Sequence, residues 1–257
     1  MFLKTDAIVL RVSPFSKTSH VVTWSTKEFG RISTVVKGAV RPKSSFLGQY
    51  DQFYTCELLF YEKENNGLHI IKEASPLNYR AILRSDWRAM VVSSYLCDLV
   101  MRLSPINDPF ESLYPDLERL LDLYTERSAT PAVLFWSELQ LMKALGLSPQ
   151  LSNCPSCQKS LDETVLSNGF SYIKGGIICL ECARNENEQP STKARDILAI
   201  LRAWQRSDQP DTVYNTKCSL SQYKEIQRVM GEFMRYHLDM RLYSRDISLR
   251  ALFSTLN

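Results

Sequence analysis

Four cysteines of this sequence form two CxxC pairs, Cys154 with Cys157 and Cys179 with Cys182, separated by 21 residues. Two tight turns that each present two thiolates can close a tetrahedral four-thiolate shell, which suits zinc. A redox dithiol is the alternative, but neither pair opens a helix within a βαβ unit, where such motifs lower the thiol pKa. Since four cysteines leave no open coordination position, we predict one structural Zn²⁺ that holds a segment lacking its own core.

Cations and aromatic side chains are interleaved between residues 27 and 50. We predict that Arg31, Lys37, Arg41 and Lys43 contact phosphates, with Phe46 as an aromatic platform beside them. Cations along a groove together with exposed rings are what sequence-tolerant binding of single-stranded nucleic acid requires. The alternative interpretation is that the rings belong to the core and the charges solvate a loop.

Three arginines, Arg80, Arg84 and Arg88, recur at every fourth residue and would share one face of a helix. Apolar residues recur at three-to-four spacing in the same stretch: Tyr79, Leu83, Trp87, Met90 and Val91. This period predicts one long helix that stops before Pro105. We include the three arginines among the DNA-binding candidates, and an ordinary solvated helix face is the alternative.

Catalytic motifs are absent from the sequence. None of the nine glycines is followed by lysine, so there is no Walker A loop for ATP hydrolysis. The sequence contains neither a GxSxG elbow nor an HExxH helix. The histidines, His20, His69 and His237, are widely separated, and the acidic residues show no cluster typical of a metal-dependent nuclease. We therefore predict that the protein is not an enzyme.

The elements that must position these residues change character along the chain. Five short apolar runs, punctuated by polar residues or glycine, predict a small barrel in the first eighty residues. Its length fits a five-stranded OB-fold, and the pattern leaves an SH3-like barrel open. Helical signals follow, with Thr130 and Pro131 at one helix start, Pro190 at another, and a Ser219–Gln222 capping box at a third.

The predicted fold is α+β with several domains. An N-terminal OB-fold barrel covers residues 1–77, and a helical bundle domain combines residues 78–150 with residues 191–257. A four-cysteine zinc finger is inserted at residues 151–190. The stretches Phe170–Ile173 and Gly175–Ile178 predict a hairpin that carries the second cysteine pair back to the first.

Composition and charge narrow the class of protein. Of 257 residues, 44% are hydrophobic and 23% charged, which is typical of globular proteins and not of disordered ones. No apolar run approaches the roughly 18 residues of a membrane helix, so we expect a cytoplasmic protein with no membrane partner. The net charge is only +3, but residues 1–80 and 191–257 each carry 11 basic and 7 acidic side chains. Two basic ends around an acidic middle suit a polyanionic partner.

Several motifs, in this order and spacing, resemble the family of the bacterial recombination mediator RecO. They are Phe29–Ile32, Val36–Ser44, Phe135–Pro149 running into the first CxxC pair, Phe170–Ser171 with Gly175–Cys179, and Arg235–Asp239 followed by Arg241–Leu242 and Ser244–Arg245. They span nearly the whole chain. Lys17 departs from the family pattern, which often has an acidic residue before the second strand.

The resemblance implies an OB-fold, a central helical domain and an embedded zinc finger. It implies binding to single- and double-stranded DNA and annealing of complementary strands without ATP, in the nucleoid-associated cytoplasm of a bacterium. It also implies partnership with RecR and with the acidic C-terminal tail of single-stranded DNA-binding protein, so that RecA can replace that protein on the strand. The alternative class is a zinc-containing protein–protein interaction module with incidental DNA affinity.

Overall fold

A computed structural model describes residues 1–63, 67–106, 108, 113–161, 169–192 and 194–254. The chain divides into two compact units. Unit 1 comprises Met1–Ala129 with Ser244–Ala251, and unit 2 comprises Thr130–Tyr243 with Leu252–Asn257. The division into a barrel, a helical domain and an inserted finger stays a prediction.

Unit 1 begins with a closed five-stranded barrel. Its strands are β1 Phe2–Ser16, β2 Ser19–Thr26, β3 Gly30–Val36, β4 Thr55–Tyr61 and β5 Leu68–Asn78. Their order around the barrel is β1-β2-β3-β5-β4, and all neighbouring pairs are antiparallel except β3 with β5, which is parallel. This arrangement confirms the predicted five-stranded OB-fold barrel.

The barrel interior is filled by alternate residues of the strands because successive side chains point to opposite faces. Three of its members, Trp24, Leu58 and Phe60, are at most 1% exposed. The one polar atom that Trp24 brings inside, its indole Nε1, donates to the Thr34 hydroxyl at 2.9 Å. The indole N–H is therefore buried together with a hydrogen-bond partner that satisfies it.

Helices follow the barrel. They are α1 Ile82–Ser85, α2 Trp87–Leu103, α3 Tyr114–Glu126, α4 Pro131–Ala144, α5 Leu180–Asn185, α6 Arg195–Arg206, α7 Asp211–Asn215, α8 Leu220–Leu238 and α9 Tyr243–Phe253. A short hairpin of β6 Gly169–Ser171 and β7 Gly176–Ile178 precedes α5. The combination of barrel, helical region and hairpin confirms the predicted α+β class. None of the helices in these described ranges combines the length and the apolar character needed to cross a bilayer.

The single long helix predicted through the arginine stretch is wrong. Asp86 has extended backbone angles and separates α1 from α2. Its carboxylate accepts hydrogen bonds from the N–H groups of Arg88 and Ala89, so it caps the second helix. An aspartate at an N-cap satisfies donors that would otherwise have no partner. The N-cap at Asp86 interrupts the helical period of the apolar residues, so the predicted single helix is divided into α1 and α2.

Helix ends in unit 2 follow the local signals in two cases and depart from them in one. The Thr130 hydroxyl accepts from Val133 N at the start of α4, and Ser219 with Gln222 forms a capping box at α8, both as predicted. The helix predicted from Pro190 begins only at Arg195. The preceding residues pair with the hairpin instead, because Phe170 N donates to Thr192 O at 2.8 Å.

Candidate functional site

The four predicted thiol ligands meet at one point of unit 2. The Sγ atoms of Cys154, Cys157, Cys179 and Cys182 all lie within 4.8 Å of one another. Cys157 Sγ and Cys179 Sγ are 3.9 Å apart, and thiolates around one tetrahedral zinc with bonds near 2.3 Å would be separated by about 3.8 Å. The two CxxC pairs therefore form one cluster of the size that a single metal ion fits.

Backbone amides point at the sulfur atoms as they do in a metal-binding knuckle. Cys179 N donates to Cys154 Sγ and Cys182 N donates to Cys179 Sγ, both at 3.5 Å. Cys179 is also the N-cap of α5, so the helix start fixes the second pair. These donors stabilise sulfur in its charged form, which is the form that binds a metal.

The pKa values of two thiols in the cluster are shifted in opposite directions. Burial raises the pKa of the Cys154 thiol, but hydrogen bonds from backbone N–H groups, including those of Cys157 and Cys179, bring it down to about 7. At Cys182 the hydrogen bond with Cys179 is the largest cause of a raised pKa, followed by burial. One thiolate forms readily while another is disfavoured beside its neighbours. A divalent ion removes this conflict because it favours the deprotonated form of every ligand.

The segment that carries the thiols is tied to the helices of unit 2. Phe170 of β6 packs edge-on against Phe233 of α8 with ring centroids 6.1 Å apart. His237 Nε2 lies 2.8 Å from Tyr172 O, and buried Arg202 donates from Nε to Leu151 O at 2.5 Å. Residues 162–168 of the predicted finger lie outside the described residues. We call the described part, residues 151–161 and 169–190, the cysteine segment.

Three of the predicted phosphate contacts, Lys37, Arg41 and Lys43, lie on the loop that follows β3. All three are exposed, and within the described residues none forms a salt bridge. Arg41 N donates to Gly38 O at 3.1 Å, so the loop begins with a turn in which Gly38 has a φ of +69°. We call residues 37–43 the basic loop.

Lys17 belongs beside the basic loop, and sequence reasoning missed it. Val40 N donates to Thr18 O at 3.3 Å and Gly38 N donates to Ser19 Oγ at 3.3 Å. These bonds connect the basic loop to the β1–β2 turn, where Lys17 is exposed. The sequence signal was a cation just before the second strand, but no pattern indicates that this turn meets the basic loop.

Arg31 and Phe46 occupy different surroundings from the basic loop. Arg31 is half-buried near the start of β3, and its Nε donates to Ser104 O at 2.9 Å. Burial lowers its pKa. Six residues separate it from Lys37, about 20 Å along an extended strand. Phe46 packs partly against the barrel core, so only part of its ring remains for a ligand.

Arg80 is enclosed, which removes the basis for its assignment as a DNA contact. Its side chain is 1% exposed and its Nε donates to Asp122 Oδ1 at 2.6 Å. Its Nη1 donates to Phe53 O and to the Thr55 hydroxyl, each at 2.8 Å. The guanidinium thus connects the barrel with α3 inside unit 1. The prediction that the three arginines share one helix face is also wrong, because Arg80 precedes α1, Arg84 lies in α1 and Arg88 lies in α2.

Arg84 and Arg88 lie closer to solvent and each contacts an aromatic ring. The Arg84 guanidinium carbon is 4.7 Å from the Tyr54 ring centroid, and that of Arg88 is 5.0 Å from the Trp87 centroid. Sequence reasoning placed Trp87 in an apolar stripe, yet Trp87 is 47% exposed. Trp87 directly follows the N-cap at Asp86, where the predicted helical period is interrupted.

Comparison with known proteins agrees with this architecture. Residues 1–80 match the family described as Recombination protein O N terminal, and residues 84–246 match Recombination protein O C terminal. The DNA repair protein RecO of Thermoanaerobacter sp. (strain X514) is 27% identical over 245 residues, covering 95% of this chain and 96% of that protein. The DNA repair protein RecO of Salinibacter ruber (strain DSM 13855 / M31) is 28% identical over 250 residues, covering 97% and 93%.

The fold and site define a class: an OB-fold barrel followed by a helical region with an embedded four-cysteine centre. Both halves of the chain match the two parts of one family in the right order. The chain belongs to the RecO family of DNA repair proteins.

Proposed function

We propose that this protein is a DNA repair and recombination mediator that binds single- and double-stranded DNA. It anneals complementary strands without ATP and, with RecR, helps to load RecA onto strands coated by single-stranded DNA-binding protein. Membership of the RecO family and the OB-fold barrel support this proposal. Since bacterial chromosomal DNA lies in the cytoplasm, the proposal also locates the protein there.

The observation that carries the proposal is the basic loop. Lys37, Arg41 and Lys43 project from one end of an OB-fold barrel and form no salt bridge within the described ranges. Phosphates on a bound strand would replace water and counterions around these side chains. Three such contacts predict a slope of about −2 in log affinity against log salt for a single strand.

Annealing fits the same surface without a source of chemical energy. Two complementary strands repel each other, and cations bound to their phosphates reduce that repulsion. The sequence contains no Walker A loop, so we propose mediation by binding and not an enzymatic reaction. The family resemblance supports RecR and the acidic tail of single-stranded DNA-binding protein as partners.

The metal that we propose for the cysteine segment is one structural zinc ion. Four sulfur ligands within 4.8 Å of one another are the donor set that Zn²⁺ takes in closed structural sites. An iron–sulfur cluster also takes four thiolates, and elemental analysis of the purified protein distinguishes the two. Zinc would hold the two CxxC turns together and would supply no reaction step.

Filter binding of a single-stranded oligonucleotide at two salt concentrations tests this function, followed by annealing of labelled complementary strands in the absence of nucleotide. We expect salt-sensitive binding and annealing faster than in the protein-free control. The proposal would be overturned by undetectable binding at low salt, or by annealing that requires ATP. Undetectable binding would favour the alternative class, an interaction module that binds proteins.

A further inference from the structure

The corner between β5 and α2 exposes aromatic side chains beside arginines. Tyr79 is 52% exposed and Trp87 is 47% exposed. The other tryptophans, Trp24, Trp136 and Trp204, are at most 1% exposed. A group of large exposed apolar side chains is typical of a surface that contacts another molecule. We call residues 79–90 the aromatic corner.

The two exposed rings are held in place and do not hang free. Tyr79 meets the Tyr54 ring edge-on, with centroids 5.0 Å apart and an interplanar angle of 79°. Arg84 lies over the Tyr54 ring and donates from Nη1 to Tyr79 O at 2.8 Å. Trp87 is the first residue of α2, and Arg88 lies over its ring. Rings fixed in this way lose little conformational entropy when a ligand stacks on them.

The aromatic corner adjoins the segment into which the basic loop leads. The chain runs from the basic loop to Asp51 and Tyr54 before it enters β4. Arg84 Nε lies 4.0 Å from Asp51 Oδ2, and its guanidinium covers the Tyr54 ring. The segment of residues 44–54 therefore connects the basic loop with the aromatic corner within unit 1.

The chemistry of the corner fits a nucleic acid strand. Its cations are Arg84 and Arg88, whose planar guanidinium groups stack on bases as well as on rings. The exposed carboxylate within it, Asp86, caps α2, and the exposed carboxylate beside it, Asp51, lies near Arg84. Tryptophan, tyrosine and arginine also occur at protein interfaces. The connection through residues 44–54 to a basic loop that forms no salt bridge in the described residues favours a polyanion.

We propose that Trp87 and Tyr79 form a base-stacking platform for single-stranded DNA, next to the phosphate contacts of the basic loop. The proposal rests on the proposed function and adds the residues that bind bases instead of phosphates. Each stacked base contributes affinity that depends weakly on sequence, because every base has a π-face. Trp87 supplies the larger ring and Tyr79 the second.

Acrylamide quenching of the intrinsic tryptophan fluorescence tests the proposal directly in the full chain. Trp87 is the exposed tryptophan, so most of the quenchable signal belongs to it. We expect an oligothymidine strand to protect Trp87 from acrylamide, and an abasic strand of equal length, with the same phosphates, to give no protection. Trp87→Phe should remove the signal while it keeps an aromatic ring and near wild-type affinity.

Affinity measurements on Trp87→Ala separate base stacking from phosphate binding. We expect about 5- to 140-fold weaker binding of oligothymidine, the loss of one stacked base. The salt slope should stay the same because no phosphate contact is removed, and affinity for the abasic strand should also stay the same. Met90→Ala is the matched control, since Met90 is 41% exposed on the same corner but has no ring. Circular dichroism checks that each variant folds.

Three results would overturn the platform while leaving the proposed function intact. The first is salt-sensitive binding of oligothymidine with Trp87 still fully quenchable. The second is equal loss of affinity for the oligothymidine and abasic strands in Trp87→Ala. Loss of affinity in Met90→Ala as large as in Trp87→Ala would also contradict stacking and indicate a general apolar contact. If wild-type protein binds neither strand, both the platform and the proposed function fail.

Discussion

The barrel and the cysteine segment are stabilised by different means. The barrel closes on a continuous apolar core, and each of its strands is hydrogen-bonded on both sides. The cysteine segment has two strands of three residues each and a centre made of four sulfur atoms. The comparison shows two solutions to one problem. A region with enough apolar area folds on its side chains, and for the smaller one we propose that a bound metal supplies the missing stability.

Loss of the metal should have the largest effect. Structural zinc contributes an apparent binding free energy of about 10–16 kcal/mol in zinc-finger peptides at neutral pH. We expect Cys154→Ser to lose its zinc, and residues 151–161 and 169–190 to lose hydrogen-exchange protection while β1 to β5 keep theirs. Metal analysis and exchange mass spectrometry measure the two effects. Cys218→Ser, outside the shell, is the control. Retention of one zinc and full protection in Cys154→Ser would show that the assignment is wrong.

Truncation of the barrel core should have the next largest effect. Trp24→Ala removes a fully buried ring and its hydrogen bond to Thr34. We expect the free energy of unfolding to fall by about 3–5 kcal/mol, measured by urea denaturation. Trp87→Ala is the matched control, because the same ring is removed from a half-exposed position and a much smaller loss is expected. Equal losses in the two variants would contradict a barrel that depends on its core.

Arg80 tests whether a buried cation in unit 1 is structural. Arg80→Met leaves Phe53 O and the Thr55 hydroxyl without their charged donor. An unsatisfied buried group costs about 1–3 kcal/mol, so we expect a loss of that size in the free energy of unfolding. The salt slope of DNA binding should not change. Arg80→Lys should recover only part of the stability because an ammonium cannot reproduce the planar fork. A shallower slope in Arg80→Met would instead restore the DNA contact first predicted for it.

The basic loop should have the smallest effect on stability and a clear effect on binding. Arg41→Ala with Lys43→Ala removes two exposed cations, so we expect the free energy of unfolding to change by less than about 0.5 kcal/mol. The slope of log affinity against log salt for single-stranded DNA should become shallower by up to about 1.4. Lys217→Ala with Lys224→Ala removes the same charge elsewhere and is the control. An unchanged slope in the loop variant would exclude the loop from the binding site.

Local signals predicted much of this protein. The two CxxC pairs, the N-cap at Thr130 and the capping box at Ser219 depend on residues within four positions of one another, and the structure contains all of them. The five strands of the barrel could also be predicted from their apolar runs, because alternation along a strand is a local pattern. The start of α6 could not be predicted from local signals, since Thr192 pairs with Phe170 from another part of the chain.

The sequence by itself determined the cysteine ligands, the barrel strands and the loop that carries Lys37, Arg41 and Lys43. Only the tertiary structure decided the burial and the partners of the cations and of Trp87. Arg80 meets Asp122 across 42 residues and is buried, Arg31 is bound to Ser104, and Trp87 is left exposed next to the cap at Asp86. The physical reason is that burial and charge pairing depend on residues distant in sequence, which no periodicity records.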